Sequence, residues 1–76
     1  MLEDEAIVYP DFKSALIGET TNGAAVYNYN LLVKAVMKRD SVDRMVAIEF
    51  VDFNIVNAYL GEFTPIIVYP IDEDDA

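Results

Sequence analysis

The chain has no cysteine, no histidine and no tryptophan among its 76 residues. Without cysteine there are no disulfides, and without histidine as well the strongest zinc ligands are missing. A domain of this length buries only ~60% of the surface its unfolded chain exposes, so self-association is one expected way of widening a thin stability margin. Glycine is also scarce: Gly18, Gly23 and Gly61 are scattered, and no phosphate-cradling loop can be built from them. No apolar run approaches the ~20 residues of a membrane-spanning helix. The start, Met1-Leu2-Glu3-Asp4-Glu5, is acidic where a secretory signal is basic. These absences predict a cytoplasmic protein without cofactor, metal or membrane contact.

Hydrophobic residues make up 54% of the chain, which excludes a disordered protein and predicts one domain over residues 1–76. The net charge is −9, and its placement is uneven. Glu3, Asp4, Glu5 and Asp11 lie near one end, and Asp72, Glu73, Asp74 and Asp75 near the other. Between Lys13 and Ile71 all five basic residues stand against Glu19, Asp40, Asp43, Glu49, Asp52 and Glu62, so this stretch is close to neutral. The sequence thus reads as a balanced body with an acidic segment, expected to be mobile, at 1–5 and at 72–76.

Local patterns predict a small α+β fold. Ala6-Ile7-Val8-Tyr9 is a short apolar extended piece halted by Pro10, and Ile67-Val68-Tyr69-Pro70 repeats its last residues. Ala15–Thr20 and Ala24–Tyr27 flank Thr21-Asn22-Gly23, and Asn-Gly predicts a type I′ hairpin turn. Gly18 inside the first strand points to a bulge or a close approach. A helix follows, capped by Asn28 or Asn30, with Leu31, Leu32, Ala35 and Val36 as its apolar stripe. Lys34, Lys38 and Arg39 gather toward its C-terminal end, where cations are favoured. Ser41 is expected to cap a second helix running from about Val42 to Leu60 and ending at Gly61.

That second helix is apolar on two sides. Ile48, Val51, Ile55 and Tyr59 form one stripe, and Val46, Phe50, Phe53 and Leu60 another. Such a helix is either buried on both faces or carries a dimer interface. A last strand, Ile66–Tyr69, completes the order β-β-α-α-β, read as an antiparallel sheet of about three strands covered by two helices.

Ala15-Leu16-Ile17-Gly18, Asn22-Gly23, Val26-Tyr27-Asn28-Tyr29, Ala47-Ile48-Glu49-Phe50-Val51-Asp52-Phe53-Asn54 and Thr64-Pro65-Ile66-Ile67 resemble a group of small acidic proteins of unknown function. These come from bacteriophages, prophages and related mobile elements, and the similarity spans roughly residues 12 to 69. The resemblance implies this fold and a mobile-element origin, and it supplies no active site.

Catalysis has few candidates without histidine and cysteine. Glu49 and Asp52 share a helix face and could in principle pair as carboxylates, but the solvated strip of an otherwise apolar helix is the favoured reading of them. The run Asp72–Asp75 offers hard oxygen ligands but lacks the spacing and turn glycine of a calcium loop. Direct nucleic-acid binding is not expected, because aromatic stacking surfaces need basic surroundings and only five basic residues are present.

Taken together, the residues predict a non-enzymatic protein-binding module whose partner presents a basic surface, such as one that handles nucleic acid. An anti-CRISPR-type inhibitor is the most concrete form. Glu3, Asp4, Glu5, Asp11, Asp72, Glu73, Asp74 and Asp75 would attract the partner over distance, with Tyr9 and Tyr69 in the contact. The alternative is a homodimeric structural or assembly module built on residues 42–60, with acidic ends that serve solubility only.

Overall fold

The computed structural model describes residues 2–71. After an extended entry, a 3-10 helix spans Pro10–Ala15, with Pro10 in the first turn where its missing N–H costs nothing. Strands β1 (Leu16–Glu19) and β2 (Ala25–Asn28) follow, then helices α1 (Tyr29–Asp40) and α2 (Arg44–Val51). Helix α2 continues into a single π turn, Asp52–Val56, and the last element is β3 (Ile66–Val68). The expected α+β arrangement of three strands and two helices is present.

The sheet order is β1-β2-β3, and its pairing differs from the expected all-antiparallel one. Strands β1 and β2 are antiparallel, whereas β2 and β3 are parallel, with Val26, Tyr27 and Asn28 opposite Ile66, Ile67 and Val68. The reason is the crossover. A chain that leaves β2, passes through two helices and returns to the start of the sheet enters β3 in the same direction as β2. The register slips between Leu16 and Gly18, so Gly18 does stand at a bulge.

The hairpin turn is also of another kind. Thr20 N–H donates to Ala24 O at 2.8 Å, and Gly23 N–H donates to Thr20 O at 3.0 Å. Gly23 takes φ +91°, while Asn22 is not among the positive-φ residues, so this is a three-residue loop rather than type I′. The Thr20 side chain locks it: its Oγ1 accepts from Ala24 N–H, and its hydroxyl donates to Asn22 Oδ1.

Helix α1 begins as expected, with Asn28 Oδ1 accepting from Leu31 N–H at 3.0 Å. At its other end Ser41 adopts φ 54°, ψ 46°, so it terminates α1 and does not cap α2. Asp43 caps α2 instead, its Oδ1 accepting from Val46 N–H at 3.0 Å.

The core is one cluster. Phe12 and Ala15 of the 3-10 helix, Ala25 and Tyr27 of β2, Leu32, Val33 and Val36 of α1, and Ala47, Val51 and Ile55 all meet in it. Leu32, Val33 and Val36 are completely or almost completely buried, each contributing roughly 1.5–3 kcal/mol of transfer free energy. Arg39 fastens the layers together from outside. Its guanidinium carbon lies 4.9 Å from the Phe12 ring centre and 5.0 Å from that of Phe50.

Candidate functional site

The N-terminal acids sit at one end of the sheet. Glu3 N–H donates to Gly23 O at 2.9 Å, and Ala6 N–H donates back to Glu3 O. Leu2 packs against the core, so residues 2–5 are tied down over the hairpin and are not the frayed tail expected from their charge. A Cβ on Gly23 would lie 2.8 Å from Glu3 N, which shows how closely this segment is seated. Glu3, Asp4 and Glu5 themselves are exposed.

Asp11 is engaged elsewhere. Its carboxylate lies 3.5 Å from Arg39 Nη1, and Arg39 also makes a two-pronged contact with Asp40 at 2.8 and 2.9 Å. The hydrogen bonds to Asp40 raise the guanidinium pKa, and the same contact holds the Asp40 carboxyl below its usual range. The Asp11 side chain nevertheless remains 70% exposed.

Tyr9 is also structural. Its ring packs 5.3 Å from Tyr27 and 6.1 Å from Phe12, and its N–H donates to Tyr27 Oη at 2.7 Å. Burial raises its pKa, with Tyr27 adding to the effect. Tyr69 stays 64% exposed, as expected of a contact residue.

Tyr69 belongs to a second cluster, at the far end of the sheet. Its ring lies 4.7 Å from that of Tyr29, whose hydroxyl donates to Asp52 Oδ1 at 2.8 Å. Desolvation first, then this bond to a carboxylate, pushes the Tyr29 hydroxyl up to about 12. The cluster joins the start of α1, the α-to-π junction and the chain leaving β3. Asp52 is thus engaged by a tyrosine, and Glu49 lies on the exposed side of α2. A recess of about 330 Å³ is lined by Leu2, Leu16, Gly18 and Glu19 at the edge of β1.

Glu3 rests on the hairpin turn, whereas β3 runs parallel to β2 and away from that turn. Asp72, Glu73, Asp74 and Asp75 lie outside the described residues.

Several large apolar side chains are left outside the core. Met45 is 72% exposed, Phe53 78%, Tyr59 82% and Ile71 85%, with Val46, Leu60 and Ile66 near half. The sequence signalled this through the two-faced pattern of residues 42–60. Neither stripe is wholly covered: Val51 and Ile55 lie in the core and Ile48 and Phe50 pack against it, whereas Val46, Phe53, Tyr59 and Leu60 stay exposed. The helix is also shorter than expected, because the π turn ends at Val56 and the chain bends at Asn57. Asn54 and Asn57 side-chain amides donate to Phe50 O and Asp52 O, which occupies carbonyls at the helix end. Among the described residues no helix is long and apolar enough to cross a membrane. No family model matches the chain, and neither a curated protein nor a solved structure matches it.

Proposed function

We propose that this chain is a protein-binding module whose partner presents a basic surface. The observation that carries the reading is the run of large apolar side chains from Met45 to Ile71 left in solvent on a chain of net charge −9. Exposed apolar side chains of this size supply contact area, and the field of the whole chain draws a cationic partner to them. Steering needs only the net field, so it does not depend on both acidic ends sharing a face. The finer form of the proposal, an inhibitor of a nucleic-acid-handling protein of the anti-CRISPR kind, is supported by the charge and by the resemblance to mobile-element proteins.

A homodimer on the same face is the competing reading. Two chains of −9 repel one another, and Glu49 stands in the middle of the shared face, which favours a different, cationic partner.

The test is affinity capture from cell lysate at low and at moderate salt, with the parent chain and Phe53→Asp as baits, alongside sedimentation of the chain alone. A specific partner held by the parent, released by salt and lost with Phe53→Asp is the expected result. Capture indifferent to salt and to Phe53, or a stable dimer at micromolar concentration, would refute the proposal.

A further inference from the structure

Helix α2 presents a patterned face to solvent. Four residues span about one turn, so Met45 and Glu49 of α2 and Phe53 of the π turn that continues it follow one another roughly along one side, with Val46 beside them. Met45, Val46 and Phe53 are 72%, 47% and 78% exposed, and Glu49 is exposed between them. The other side of the helix holds Ala47 and Val51, both fully buried. The outward line is therefore apolar, anionic, apolar over about 12 Å, at ~6 Å per step.

Any surface that covers Met45 and Phe53 also covers Glu49. Glu49 is in none of the ion pairs described, so it reaches an interface with its charge unmatched. Burying it against a neutral apolar surface strands a carboxylate out of water, which is strongly unfavourable. A second copy of this chain would bring another Glu49 and a further net charge of −9. A cation between two apolar contacts satisfies all three positions at once. A row of side chains four apart is also the ridge that fits the groove of another helix.

We infer that the outward face of α2 seats an amphipathic helix of the partner, one that carries a Lys or Arg between apolar residues a turn to either side. This rests on the protein-binding reading and names the element that docks. Phe53 is the aromatic anchor, and Glu49 selects the cation and fixes the register.

The test pans the intact protein against a displayed library of Ala- and Gln-based helical peptides, randomised along one face. Enriched peptides should carry a Lys or Arg flanked at spacing four by large apolar residues. Their binding should fall about tenfold in Phe53→Ala and about fivefold in Glu49→Gln at low salt, with less than a twofold change in a variant carrying Glu3→Gln, Asp4→Asn and Glu5→Gln. Melting curves check that the variants remain folded, and both key side chains are exposed. Basic peptides that lose binding only in the N-terminal variant, or that add to the free edge of β3, would overturn this inference and leave the protein-binding reading intact. An absence of salt-sensitive binders would overturn both. A dimer of the chain abolished by Phe53→Ala would place a second copy on the face and overturn it as well.

Discussion

Between Pro10 and Val51 the chain packs from both sides, and from Asp52 to Ile71 it hardly packs at all. The first stretch supplies every core side chain except Ile55: two from the 3-10 helix, two from β2, and the rest from α1 and α2. The second supplies Phe53, Tyr59, Leu60, Ile66, Tyr69 and Ile71 to solvent. Hydropathy alone does not separate the two, since both are rich in large apolar residues. Neighbours do. The first stretch lies between a sheet and a second helix, while β3 has one strand beside it and an open edge on the other side. The difference teaches that the apolar content of this chain serves two ends, cohesion where layers meet and contact where they do not, and that Met45 and Val46 on the outer side of α2 already belong to the second kind.

That contrast can be broken most directly by truncating the core. Leu32→Ala leaves a cavity in the most enclosed layer and should cost about 3 kcal/mol, read as a shift in denaturant midpoint. If the cost were below ~1 kcal/mol, the first region would not be packed as described. Next comes Gly23→Ala. A side chain at φ +91° is strained and collides with Glu3, so a loss of about 2 kcal/mol is expected, with faster hydrogen exchange at the Glu3 amide.

A smaller effect tests the seam between the regions. Tyr29→Phe removes the bond to Asp52 and should cost ~1 kcal/mol. The pH dependence has a definite sign. The Tyr29 hydroxyl is raised from 10.0 to about 12 in the folded chain, so between those values the native state keeps a proton that the unfolded state has lost. Its contribution is complete below pH 10 and disappears as pH rises through about 12. Alkaline stability curves of the parent should show this fall, and those of Tyr29→Phe should lack it.

Ser41→Gly relieves a left-handed residue that is not glycine and should stabilise the fold by ~1 kcal/mol, seen in thermal melting. The smallest effect sharpens the contrast best. Phe53→Ala should change stability by less than ~0.5 kcal/mol, because the ring has few neighbours to lose. A large loss there would mean that Phe53 belongs to the core and not to a contact surface.

Much of the fold was legible because it is written in short-range chemistry. Asn28 caps α1 as its side chain predicts, Gly18 stands at a bulge, and Leu32 and Val36 face inward at helical spacing. Asp43 took the cap expected of Ser41 because both are good cap residues, and the winner depends on where the backbone turns left-handed. The candidate site was less legible. Tyr9 read as a surface group, yet its ring packs on Tyr27, 18 residues away along the chain, while Asp11 stays exposed with Arg39 beside it from 28 residues away. Periodicity showed that residues 42–60 are apolar on two faces, but it carries no information on how many neighbours are present to cover them.

By itself, the sequence determined the three strands and two helices, their order, the strongly negative charge and the lack of thiol and imidazole chemistry, but not the 3-10 helix or the π turn. These depend on residue type and on neighbours within a turn or two. Tertiary structure alone decided that β3 runs parallel to β2, that residues 2–5 are docked on the hairpin, and that the outer face of α2 stays in water. Each of those outcomes depends on which distant segments arrive at a given place, and burial there is a property of the assembled layers, not of any residue within them.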